Sequence, residues 1–195
     1  MNLNKLQNKL SVQLTPKRFK HSLGVMDLAV KLASIYHITP ESASLAGLLH
    51  DVAREYSSQE LLRLAHNFNI PVLEIEKMIP VLLHGRVGAE ILKREWGIVD
   101  PNILQAVGLH VTGATEMSVL SQIIFIADFA EPGRGLLFSD IARKLAFVDR
   151  YSALSYIFDQ EIKYILNSGF LLHPNTIKAR NKLIMKGSLD LTNNH

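Results

Sequence analysis

Apolar residues recur three and four positions apart along nearly all of this 195-residue chain, and no stretch shows the strict alternation that a half-buried strand requires. That spacing predicts an all-α protein. Thr15–Pro16 and Thr39–Pro40 each place an N-cap residue before a proline at the first helical position. With Pro71, Pro80, Gly97, Pro101, Gly113, Pro132, Gly133, Gly169 and Pro174 as boundaries, the pattern predicts helices over 3–10, 15–36, 39–54, 57–66, 84–95, 101–111, 117–130, 138–147, 149–168 and 174–186. The connections are short, and neither an internal repeat nor a Pro- or Gly/Ser-rich linker divides the chain. The expectation is a single-domain helical bundle over 1–195, with its polar tail GSLDLTNNH frayed and His195 idle.

Composition narrows the chemistry. The absence of cysteine excludes disulfides, thiolate metal sites, iron–sulfur clusters and thiol nucleophiles, leaving His, Asp and Glu as candidate ligands. A chain of this length buries roughly two thirds to three quarters of its unfolded surface, so it needs no metal to fold and any ion serves chemistry. Basic residues number 21 against 18 acidic, a net charge of +3, with only small clusters at Lys17, Arg18 and Lys20 and along Lys178 to Lys186. Such a balance argues against nucleic acid as a partner and leaves room for an anionic small molecule. No stretch approaches the roughly 18 apolar residues needed to span a bilayer, so a soluble, cytoplasmic protein without a membrane partner is expected. The glycine patterns that cradle nucleotide phosphates, the serine nucleophile elbow and the HExxH zinc pair are all missing.

Certain polar residues sit where the helical pattern demands apolar ones. His21 shares a face with Val25, Leu28, Leu32 and Ile35. His50 and Asp51 interrupt the apolar run Leu45, Leu48, Leu49, Val52. His84 opens the face continued by Val87, Ile91 and Leu92, and His110 closes the face of Ile103, Ala106 and Val107. Asp128 lies in IIFIADFAE, the most apolar segment, with no cation close by in sequence. One inward histidine alone is an ordinary core residue satisfied by its neighbours. Four histidines and two aspartates would each need a separate partner, whereas a shared metal site satisfies them together, and an isolated buried carboxylate is costly. His37 and His66 fall at helix ends and read as surface or capping residues. His173, before Pro174, falls at the start of the last helix, where free amides could receive an anion.

The order His21, His50–Asp51, Asp128 resembles the HD-domain metal-dependent phosphohydrolases. The wider motifs RFKHSLGV, GLLHDVA, LLHGRVGAEIL, GLHVTGATEMS, IADFAEPGR and LLHPNTIKARN resemble the bacterial symmetrical bis(5′-nucleosyl)-tetraphosphatase branch of that superfamily, over roughly residues 15 to 185. This resemblance implies a helical bundle of the HD-domain type, with one or two iron ions. His21, His50, Asp51 and Asp128 would be the ligands, and His84 and His110 would face a second metal or the substrate phosphates. The same resemblance sets Arg134 and the loop His173, Pro174, Asn175 and Thr176 against the nucleotide, together with His21, Asp51 and Asp128. A homodimer is also implied by family alone. Two positions depart from the pattern: Arg54 stands where a lysine is expected after the HD pair, and Arg86 where a proline is usual. Arg86 reads as an added cation at the mouth or as a solvated side chain.

Imidazole and carboxylate ligands suit iron, manganese, cobalt or zinc. An ion held by them lowers the pKa of its water and polarises phosphorus, so the nucleophile would be a metal-bound water assisted by Asp51 and Arg54. The resemblance implies a small-molecule nucleotide substrate, diadenosine tetraphosphate cleaved to two ADP. The alternatives are another HD-domain nucleotide hydrolase, such as a nucleotidase or alarmone hydrolase, and a non-catalytic signalling scaffold.

Overall fold

The computed structural model describes the backbone of residues 3–192 and the side chains of residues 3–185. Eleven α-helices and two 3₁₀ turns account for the described elements, with no strand among them. The helices are α1 (Leu3–Gln13), α2 (Pro16–Ile35), α3 (Pro40–Leu49), α4 (Ser58–Asn67), α5 (Glu74–Met78), α6 (His84–Glu95), α7 (Pro101–Leu109), α8 (Val119–Ala130), α9 (Leu137–Ala146), α10 (Arg150–Asn167) and α11 (Pro174–Thr192). The 3₁₀ turns, Pro80–Leu83 and Pro132–Arg134, precede α6 and follow α8. No helix among the described residues is long and apolar enough to cross a membrane.

Helix α8 is the axis. Leu120, Ser121, Ile123, Ile124, Phe125, Ile126, Ala127 and Ala130 are buried over most of its circumference, as in a helix enclosed by its neighbours. Helices α2, α3, α7, α9 and α10 pack around it. Side chains cap the starts of the surrounding helices: the Thr15 hydroxyl accepts from the Arg18 amide, the Asp149 carboxylate from Tyr151 and Ser152, and Ser57 and Glu60 form a reciprocal box. Thr39 begins α3 without capping it, its hydroxyl donating to Ser42 instead.

Four expectations need correction. Helix α3 stops at Leu49 rather than continuing to Arg54, although Val52 and Ala53 remain buried in the turn that follows. The cause is the His50 ring, whose Nδ1 donates to the Gly47 carbonyl at 2.8 Å and takes the acceptor that the Asp51 amide would use in a continuing helix. Second, α5 and a 3₁₀ turn fill the segment between Pro71 and His84, which is too short and irregular for its periodicity to register. Third, the backbone of α11 runs on to Thr192 through most of the segment expected to fray; a single Gly187 does not stop a helix, and His195 lies outside the described residues. Fourth, Ile35, at the last turn of α2, is 39% exposed where the helix leaves the core.

Helices α2 and α3 touch backbone to backbone. A Cβ built on Gly47 would lie 2.8 Å from the Met26 Cα and 3.0 Å from its nitrogen. In a free helix Gly→Ala stabilises by about 1 kcal/mol. At Gly47 the overpacking cost of about 1–3 kcal/mol should win, so Gly47→Ala is expected to lower the urea midpoint; a rise would show that the two helices separate freely.

Candidate metal centre

Six polar side chains from five helices meet where the ends of α3, α7 and α8 and the start of α6 converge on α2. The carbonyls of a helix's last turn have no partner inside the helix. The sequence uses this three times. His50 Nδ1 donates to Gly47 O at 2.8 Å, His110 Nδ1 to Val107 O at 2.7 Å, and His84 Nδ1 to Val81 O, in the 3₁₀ turn, at 2.6 Å. A carbonyl only accepts, so each Nδ1 carries the proton and each Nε2 is left as a lone pair facing inward.

Those lone pairs converge on the carboxylates. Asp51 Oδ1 lies 3.1 Å from His84 Nε2 and 3.6 Å from His110 Nε2, and its Oδ2 lies 3.6 Å from His50 Nε2. Asp128 Oδ1 lies 3.0 Å from His21 Nε2 and 3.9 Å from His50 Nε2. His84 and His110 approach to 3.0 Å through Nε2, a distance at which two bare nitrogens need a proton or a cation between them. Gly85 permits this approach, because a Cβ there would sit 2.9 Å from the Val107 carbonyl. The His50 Nε2 is fully buried and has no hydrogen-bond partner among the described residues. Potential ligand atoms fall into three overlapping groups, each within 4.8 Å: His21, His50, Asp51; His50, His110, Asp128; and Asp51, His84, His110. This donor set fits one or two transition-metal ions.

Electrostatics agree with that fit. Burial pushes the His50 ring down to about 4 despite the charges of Asp51 and Asp128, and burial likewise lowers His84, so both rings are neutral near pH 7, the form that can hold a metal. In His21 and His110 burial is outweighed, by Asp128 and Glu131 for the first and by Asp51 and Asp128 for the second, and both rings are raised. Burial opposes ionisation of Asp51 and Asp128 as well, but the surrounding imidazoles, with Arg134 at Asp128, hold both well below the usual carboxylate range.

Several participants escaped the sequence reading. Arg18, one turn before His21, reaches Asp51 Oδ2 at 3.2 Å; the i, i+3 spacing was the available signal. Asp128 does have a cation near in sequence: Arg134 donates to its side chain at 2.5 Å and to its carbonyl at 2.8 Å. Both guanidinium groups are about one third exposed. Buried Glu131 bonds His21 Nδ1 at 3.0 Å. Glu161, on α10, is pushed up to about 8 by burial and by the charge of Asp128.

Other expected positions serve the fold. Arg86 is not free at a mouth; it donates to buried Glu76 at 2.5 Å and to the Pro71 carbonyl at 2.8 Å. His173 lies 3.4 Å from the same Glu76, and its Nδ1 accepts from the Asn175 amide. Pro174, exposed, begins α11, and Thr176 in its first turn donates to the Thr112 carbonyl and anchors the helix. The Arg54 amide donates to the Asp51 carbonyl in the turn, and its half-buried side chain makes no ion pair among the described residues. His37 takes the left-handed conformation just past the end of α2 and His66 lies exposed in the last turn of α4, both away from the centre.

A helical cradle in which an adjacent His–Asp pair joins further histidines and an aspartate defines the HD class, and the HD domain family model matches residues 18–132. The chain belongs to the family of the symmetrical bis(5′-nucleosyl)-tetraphosphatases within that class. It is 32% identical to the protein of that name from Halalkalibacterium halodurans over 95% of its own length and 99% of the relative's. It is 31% identical to the one from Bacillus subtilis over 88% and 92%. A crystal structure from Clostridium acetobutylicum, described as a predicted HD superfamily hydrolase involved in NAD metabolism, superposes with a TM-score of 0.93 at 41% identity, covering 95% of this chain and 98% of that one.

Asp128→Asn preserves shape but removes the negative charge of a candidate ligand. It should weaken metal binding at least about 100-fold, since losing only a partner of a ligand costs about 10–100-fold, while far-UV circular dichroism stays helical. Undiminished metal content by elemental analysis, or lost helicity with metal still bound, would contradict the assignment of Asp128.

Proposed function

We propose that this chain hydrolyses dinucleoside tetraphosphates symmetrically, converting diadenosine tetraphosphate to two ADP with one or two iron ions, for which manganese, cobalt or zinc could substitute. The observation that carries the reading is the convergence of His21, His50, Asp51, His84, His110 and Asp128 within bonding range of common ions, flanked by two arginines. It occurs in a chain that matches named tetraphosphatases over nearly its full length. His21, His50, Asp51 and Asp128 would hold the first ion, and the group Asp51, His84, His110 supports a second. When bound there, an ion would supply an activated water and polarise the phosphorus attacked.

The chain's own groups do the rest. The backbone carbonyls of Gly47, Val81 and Val107 fix three imidazoles before substrate arrives, so their Nε2 atoms need no reorganisation. Arg18 and Arg134 neutralise Asp51 and Asp128 from the solvent side. About one third exposed, they are placed to turn from carboxylate to phosphate oxygens, which guanidinium binds in the same two-pronged way. Asp51 can orient the attacking water by accepting its hydrogen bond. Arg54 adds the positive potential of its guanidinium.

Diadenosine tetraphosphate should yield ADP alone on ion-exchange chromatography. ATP plus AMP as main products would overturn the symmetrical reading. His84→Ala or His110→Ala should reduce bound metal from about two ions per chain toward one. Arg134→Lys should lose about tenfold in kcat/KM, because the ammonium keeps the charge but not the fork.

A further inference from the structure

His21 is the exception among the four histidines. The other three follow helical turns, where Nδ1–H reaches the carbonyl three residues earlier: Gly47 in α3, Val107 in α7, and Val81 in a 3₁₀ turn, where it also receives the His84 amide. His21 is the sixth residue of the twenty-residue helix α2, where the carbonyl of the preceding turn is already engaged by the helix. Its Nδ1 needs an acceptor from elsewhere, and the buried carboxylate of Glu131 supplies it at 3.0 Å across 110 residues of sequence.

Glu131 is itself seated with care. Its Oε1 takes His21, and its Oε2 accepts from the Gly133 amide at 2.5 Å in the turn that carries Arg134. Two glycines make the space. A Cβ on Gly24, one turn along α2 from His21, would lie 2.5 Å from Oε2, and one on Gly133 would lie 2.8 Å from it. The side chain is 5% exposed, so water does not compete for its oxygens.

We propose that Glu131 is the positioning residue of His21: it holds the proton on Nδ1 and the ring in the orientation that presents Nε2 to the metal, and the glycines at 24 and 133 exist to admit it. The inference rests on reading His21 as a metal ligand. A carboxylate in this place makes the imidazole a stronger donor than a carbonyl does, so His21 is the tightest nitrogen ligand. The Oε2 bond ties that ligand to the turn bearing Arg134, so one carboxylate sets the metal and the phosphate-facing arginine in register.

The test uses the full-length protein. Mn²⁺ binding is measured by calorimetry after chelation, and Nδ1–H protons are observed by ¹⁵N-edited NMR of the Zn²⁺-loaded form, with His21 assigned from the signal lost in His21→Gln. Glu131→Ala should abolish the slowly exchanging His21 Nδ1–H signal while leaving those of His50, His84 and His110, and should weaken Mn²⁺ binding about 10–100-fold. Glu131→Gln keeps the shape and an acceptor oxygen, so it tests the charge even if Ala does not fold; about tenfold weaker binding is expected. Gly24→Ala should reproduce the loss of affinity with an unchanged or raised urea midpoint, because the added methyl meets only the far end of Glu131 while the helix gains alanine. Unchanged Mn²⁺ affinity and His21 signal in Glu131→Gln and Gly24→Ala, alongside weakened binding in His21→Gln, would overturn the role of Glu131 alone. Unchanged Mn²⁺ binding in His21→Gln would overturn the ligand reading and this inference with it.

Discussion

Two carboxylates held in the interior of a helical bundle, Asp51 and Asp128, set the terms for the rest of this molecule. Removing such a charge from water costs several kcal/mol unless it is paired and hydrogen-bonded. Four imidazoles and two guanidinium groups surround the pair, and no other described part of the chain gathers so many ionisable groups. Their arrangement is economical because helix ends supply free carbonyls where the rings need acceptors. The polar centre therefore draws its acceptors from helix ends, and at Gly47 it sets that end by taking the carbonyl that the Asp51 amide would use.

This explains why the centre was legible in the sequence. A histidine at an inward position of an amphipathic helix stands out against the apolar residues beside it, and His21, His84, His110 and Asp128 all did. The HD pair was visible for the same reason, yet its presence hid the true end of α3. Periodicity continues through Val52 and Ala53, which stay buried, while the backbone leaves the helix because a side chain has captured the Gly47 carbonyl. Periodicity reports burial and carries no record of which donor a carbonyl receives.

What could not be read depends on pairings distant in sequence. Glu76 looks like an exposed residue of a short acidic segment, but it is buried beneath Arg86 and His173, ten and 97 residues away. Arg86 thus replaces an expected surface role with an internal one, and His173 joins it at the foot of α11. Arg18 likewise looks like a solvated charge until the fold sets it against Asp51, and the contact of Arg134 with Asp128 is not visible in the spacing. Composition and spacing identify residues that do not belong on the surface; they are silent on which surface charges turn inward.

All the candidate ligands come from α2 through α8, and the last arginine at the centre is Arg134. Among the described residues, helices α9, α10 and α11 contribute no candidate ligand; α9 and α10 pack on α8, and α11 packs on α10. The molecule is thus divided by task along its length, a chemically committed front followed by an outer wall whose side chains are free of the geometric demands of coordination. Insertions or exchanges in that wall could reshape what the centre admits without disturbing how it reacts. Selection for a new substrate would find its least constrained material in the final third of the chain.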